Sequence, residues 1–140
     1  MDYIELAIEE AKKAYSFNEV PVGALIVKDN QIISKNYNRK IIDNDVTSHA
    51  EILAIREAEK NILNWHLDDC SMYVTLEPCP MCAGAIKESR ISKLYIGTKS
   101  NNPQNELLLR EILGNSIDIV YLDNKDCSNL LTKFFQELRK

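Results

Sequence analysis

Between Met72 and Ile96 the chain reads as a strand (Met72 to Leu76), a helix opened by a proline (Pro80 to Glu88) and a second strand (Lys93 to Ile96). A strand that reaches its neighbour through a helix must lie parallel to it, and such crossovers are almost always right-handed. This βαβ unit therefore commits the chain to a sheet with parallel members and at least one covered face. Upstream, Val22 to Val27 and Gln31 to Ser34 are short strand-like runs separated by a turn at Asp29-Asn30, which predicts an antiparallel hairpin. Tyr3 to Tyr15 places Ile4, Ile8, Ala11 and Tyr15 at helical spacing, and Ala50, Leu53, Ala54 and Ala58 repeat that spacing further on. Asn36 to Ser48 is polar and irregular. Beyond the crossover, Glu106 to Leu113 reads as a helix, Ile117 to Leu122 as a strand and Asp126 to Arg139 as a closing helix with Leu130, Leu131, Phe134 and Leu138 at core spacing. The expected architecture is α/β: a three-layer arrangement with a five-stranded mixed sheet and helices on both faces.

Bulk properties narrow the function classes. A chain of 140 residues with 45% hydrophobic and 27% charged residues supports one domain, 1–140, with its own core. The longest apolar runs fall short of the roughly 18 residues a membrane span needs, and the acidic start (Asp2, Glu5, Glu9, Glu10) has no signal-peptide character. A cytoplasmic location is the expectation. A formal charge of −4 gives no global attraction to nucleic acid, so RNA binding would need a local basic patch. Of the four cysteines, Cys79 and Cys82 form a C-x-x-C, while Cys70 and Cys127 read as small buried residues.

The chemistry-bearing residues sit at two helix starts. Pro80 suits the first helical position, which makes Cys79 the cap and puts Cys82 on the first turn. Both sulfurs then face the positive end of the helix, which favours thiolates and metal ligation. His49 and Glu51, two residues apart, point to nearly opposite sides within a helix and can converge only beyond its N-terminus. Three donors, His49, Cys79 and Cys82, would leave the fourth tetrahedral position of zinc open, as catalytic sites do, with Glu51 as proton shuttle. Two other readings remain: a closed structural zinc that recruits His66 or Cys70, and a redox C-x-x-C pair.

His-x-Glu followed by Pro-Cys-x-x-Cys is a signature known from zinc-dependent nucleobase deaminases. Taken with Glu19-Val20-Pro21-Val22-Gly23-Ala24, Asn38-Arg39, Thr47-Ser48-His49-Ala50-Glu51-Ile52 and Thr75 to Ile86, it resembles the bacterial tRNA-specific adenosine deaminases of the cytidine-deaminase-like superfamily. The resemblance runs from the first helix to about Gly97 and returns in the last helix, where Phe134-Phe135 and the pair Arg139-Lys140 look like the family's ending. It implies conversion of adenosine to inosine at the wobble position of a tRNA anticodon stem-loop, by a homodimer holding one Zn²⁺ per chain. His49, Cys79 and Cys82 would be ligands, Glu51 the acid/base, and Asn38 the amide that holds the flipped base. Phe135 and Arg139-Lys140 are candidates for stacking and phosphate contact. Between Gly97 and Leu113 the chain departs from the family, reading Thr98-Lys99-Ser100-Asn101-Asn102-Pro103-Gln104-Asn105-Glu106. That departure raises the alternative of a deaminase of free guanine, cytosine or a related nucleoside.

Overall fold

The computed structural model describes residues 2–139. Its sheet is assembled around the hairpin β1 (Gly23–Lys28) and β2 (Gln31–Tyr37), turned at Asp29 (φ 51°) and Asn30 (φ 62°). Two consecutive left-handed residues make the tight turn whose twist matches the strands, and Asp and Asn tolerate that conformation best after glycine. β2 runs three residues past the expected Ser34, to Tyr37. Its Lys35, Asn36 and Tyr37 pair with Leu25, Ala24 and Gly23 of β1. The partner strand, not side-chain alternation, carries this polar edge strand forward.

The crossover β3 (Cys70–Leu76), α3 (Pro80–Ser89) and β4 (Lys93–Thr98) is present as expected, followed by α4 (Asn105–Leu113), β5 (Asp118–Tyr121) and α5 (Lys125–Leu138). Helices α1 (Tyr3–Ser16) and α2 (Ala50–Ile62) complete the element order. Strand order is β2-β1-β3-β4-β5, with β1 antiparallel to both neighbours and β3, β4 and β5 mutually parallel. Pleating sends Ala24 and Ile26 to one face, where they pack with Ala54 and Ala58 of α2, Ile86 of α3 and Leu109 of α4. Leu25 points to the other face and meets Ile4, Ala7 and Ile8 of α1 and Cys127 of α5. Burial of apolar area on both faces is the main stabilising term, about 25 cal/mol per Å².

Gly23 lets α1 approach β1 closely: a Cβ there would lie 2.0 Å from the Ala7 carbonyl oxygen. The buried stripe of α5 ends at Phe134, and Leu138, expected in the core, is 68% exposed. α5 covers the sheet through Cys127, Leu131 and Phe134, so Leu138, one turn beyond Phe134, lies past that contact. Lys140 lies outside the described residues. No helix of the described residues is long and apolar enough to cross a membrane. The strand directions decide where the chemistry gathers. Because β1 opposes both β2 and β3, those two strands end at the same edge, and the chain enters α2 and α3 from there.

Candidate active site

His49 and Cys79 occupy equivalent positions, each the extended N-cap of its helix (φ −78°, ψ 150° and φ −73°, ψ 168°). An N-cap side chain ordinarily accepts a hydrogen bond from the first turn. Neither has a side-chain capping bond here; His49 turns away from its helix, and Cys79 stays beside Cys82 of its own first turn. The missing cap of α2 comes from elsewhere: Asn38 Oδ1 accepts a hydrogen bond from Ala50 N at 2.8 Å. Pro80, at the start of α3, has no N–H to satisfy. His49 Nδ1 lies 3.8 Å from Cys79 Sγ and 3.5 Å from Cys82 Sγ. One donor atom from each of His49, Cys79 and Cys82 falls within 4.8 Å of the others, so the three form a group able to hold a metal ion.

Charge and burial polarise this cluster. A hydrogen bond from Cys82, reinforced by His49, pulls the Cys79 thiol down to about 3, while the same contact and burial push Cys82 well up. His49 is raised, first by its hydrogen bond to Cys79. The pair is thus polarised, with Cys79 the group that more readily loses its proton and Cys82 the one that keeps it. Glu51 is 4% exposed, and burial lifts its carboxyl to about 7.

A cleft of about 180 Å³ opens over the cluster. It runs from buried Glu51 past His49, Cys79 and Asn38 to exposed Lys40, with Val22 and Leu76 as apolar walls. Its volume is below the roughly 300–1,000 Å³ of drug-sized sites and suits a single flat heterocycle. Asn38 thus caps α2 and lines the cleft, and its Nδ2 makes no hydrogen bond among the described residues. His66 and Cys70 stand apart from the cluster. His66 packs on Trp65 and lies 3.2 Å from an Arg90 guanidinium nitrogen. Cys70 begins the strand that leads to the cluster, about 20 Å from its end at the rise of a β-strand. Neither can serve as a fourth donor, so the closed-site reading falls. Cys79 and Cys82 are both free thiols.

Two further carboxylates line the cleft that sequence reasoning left without a role, Glu19 and Glu77, 2% and 4% exposed. Glu19 Oε2 accepts from the backbone amides of Ile41 and Ile42, both at 2.8 Å, and so holds the loop that carries Lys40. A charged residue at the end of an apolar strand, as in Leu76-Glu77-Pro78, was the available signal for Glu77. Its partners lie too far along the chain for that signal to name them.

A family model described as MafB19-like deaminase matches residues 1–139. The chain belongs to this deaminase family. The tRNA-specific adenosine deaminase of Bacillus subtilis (strain 168) is 39% identical to it over 144 residues, covering 99% of this chain and 89% of that protein. A structure from a study of A-to-I editing by tRNA:A34 deaminases at the wobble position superposes with a TM-score of 0.83 at 36% identity, covering 92% of this chain and 98% of that one. Guanine deaminase from Bacillus subtilis is also similar, with a TM-score of 0.70 at 30% identity over 99% of this chain and 94% of that one. Across these comparisons the deaminase sheet and helices are shared, and the α/β architecture expected from the sequence is the one observed.

Proposed function

We propose that the protein is a zinc-dependent hydrolytic deaminase that converts adenosine to inosine at the wobble position of a tRNA. The observation that carries this reading is the meeting of His49 Nδ1, Cys79 Sγ and Cys82 Sγ beside buried Glu51, at the floor of a cleft sized for one base. Zinc bonds of about 2.0–2.1 Å to nitrogen and 2.3 Å to sulfur at tetrahedral angles put those donors about 3.5 Å apart. The observed 3.5 and 3.8 Å fit that requirement, and a one-nitrogen, two-sulfur donor set suits zinc. His49, Cys79 and Cys82 would hold the ion and leave one position open. Zinc bound there would supply Lewis acidity, making a water molecule acidic enough to ionise near neutral pH.

The chain's own groups carry the rest. Glu51 would take one proton from the attacking water and pass it to a ring nitrogen, then take the second from the hydroxyl newly bound to carbon and give it to the exocyclic amine, as the C=O bond forms and the C–N bond breaks. The balance is one water consumed and one ammonia released, with no change of oxidation state. Asn38 Nδ2 offers a hydrogen-bond donor at the cleft wall, and Val22 and Leu76 exclude water from the faces of the base. A polynucleotide substrate is favoured by a second cavity of about 640 Å³ that shares Leu76 with the cleft. It passes Lys99, Ser100 and Asn101 to Phe135 and Arg139, an aromatic face flanked by cations that suits neighbouring nucleotides. The names and structures of the relatives support the same substrate.

The homodimer is proposed with it. α3 and α4 pack together and leave Met81, Leu107 and Leu108 exposed, an apolar surface that a second copy would cover. The deciding experiment incubates the protein with an anticodon stem-loop bearing a wobble adenosine and, in parallel, with guanine, cytosine and adenosine. Inosine in the RNA is expected. Ammonia from a free base with no inosine in RNA would replace this reading by that of a free-base deaminase.

A further inference from the structure

The stretch from Thr98 to Asn105 is tied directly to the residues that precede Cys79. Glu77 ends the strand approach to the cluster, and its carboxylate is buried. Glu77 Oε1 accepts from Asn105 Nδ2 at 2.9 Å and from Ser100 N at 3.5 Å, while Oε2 accepts from the Tyr121 hydroxyl at 2.5 Å. The Glu77 amide in turn donates to the Thr98 carbonyl at 2.9 Å. Asn105 Nδ2 makes a second bond, to the Pro78 carbonyl at 3.1 Å. Tyr121 is itself held. Lys99 Nζ and the Arg110 guanidinium lie 5.0 and 5.7 Å from its ring centroid, and both cations pair with Glu106 at 2.9 and 3.2 Å.

These contacts fix both residues that precede Cys79. Within its own helix Cys79 is bonded only to Cys82, so the chain that enters it from the other side shares in setting its orientation. The plane of the peptide that enters Cys79 is set by the Pro78 carbonyl, and that carbonyl is held by Asn105. We infer that Asn105 and Tyr121 are positioning residues for the Cys79 donor, acting through Glu77 and Pro78. The inference rests on the proposed zinc site. It gives the segment after β4 and the end of β5 a task, bracing a metal donor that follows the neighbouring strand β3. Groups that hold a ligand residue in this way commonly change metal affinity about 10- to 100-fold when removed.

The test uses full-length protein loaded with zinc, and compares wild type with Asn105→Ala and Tyr121→Phe. Transfer of zinc to a competing chelator is expected to be about 10- to 100-fold faster in Asn105→Ala. Tyr121→Phe, which loses one hydroxyl, should show a smaller acceleration. The same proteins loaded with cobalt should show shifted visible absorption bands, because those bands follow the angles at the metal and not the stability of the fold. Wild-type release rates and superimposable cobalt spectra in both variants would overturn the inference while leaving the zinc site standing. If Asn105→Ala does not fold, Tyr121→Phe decides alone by the same two readouts. A wild-type protein that binds no zinc would overturn the site and this inference together.

Discussion

Asn38 serves two ends with its two amide atoms, and substitutions can separate them. Its Oδ1 accepts from Ala50 N at 2.8 Å, while its Nδ2, at the cleft wall, makes no hydrogen bond among the described residues. Asn38→Ala removes the side-chain acceptor at the first amide of α2 and strands the N–H of Ala50, which is 0% exposed. Losing an N-cap costs about 1 kcal/mol, up to about 2. For a chain of this length that lowers Tm by roughly 3–6 °C. Asn38→Asp keeps an acceptor at the same place, at the positive end of a helix that favours a carboxylate, and so should hold Tm close to wild type. It removes the donor that faces the base. A hydrogen bond lost at a site built to make it amounts to about 1–3 kcal/mol, or roughly 5- to 150-fold in kcat/KM. Thermal unfolding and steady-state turnover of an RNA hairpin measure both effects, with zinc content as a control. Wild-type turnover in Asn38→Asp would refute the substrate contact, and wild-type Tm in Asn38→Ala would refute the cap.

Three further outcomes are expected. Glu51→Gln should lower kcat by about 10²- to 10⁴-fold while zinc stays near one per chain by metal analysis; retained turnover would remove Glu51 from proton transfer. Burial pushes the Cys127 thiol from its ordinary 9.0 up to about 12. In that interval the unfolded chain sheds a proton that the folded chain keeps. Stability should therefore be full below about pH 9 and fall as pH rises toward about 12, and denaturant titrations of Cys127→Ala should show a flatter alkaline limb. Gly23→Ala would drive a methyl to 2.0 Å from the Ala7 carbonyl of α1. The displacement of a helix backbone should cost at least about 1–3 kcal/mol, measured as a lower urea midpoint with unchanged slope.

Much of the architecture is legible from short-range signals. The Asp29-Asn30 turn, the proline at the start of α3 and the alanine-rich stripe of α2 each act within a few residues, and the observed elements follow them. β2 outran its expected end because Lys35 to Tyr37 are polar residues whose strand state is conferred by β1. Leu138 kept core spacing yet lies exposed, since spacing reports which face a residue shares and not how far the covering element extends. At the site, His49, Glu51, Cys79 and Cys82 were legible because donor chemistry and helix starts coincide in the sequence. The cap that Asn38 supplies to α2 was not. The Glu77 clamp was hidden for a stronger reason, with partners 28 and 44 residues away that leave no local pattern.

The sequence alone determined that His49, Cys79 and Cys82 stand at two helix starts, with Glu51 in the first turn of one of them, because capping and helix geometry are set within a single turn. Tertiary structure decided that the two helix starts share one edge of the sheet, since that depends on β1 opposing both β2 and β3. It also decided that, among the described residues, the cluster gathers His49, Cys79 and Cys82 and not Cys70, which begins the strand whose far end leads to Cys79. The three-residue cluster, the cleft of about 180 Å³ over it and the hydrogen bonds that tie Glu77 and Pro78 to Asn105 and Tyr121 all follow from long-range packing, which spacing along a chain cannot encode.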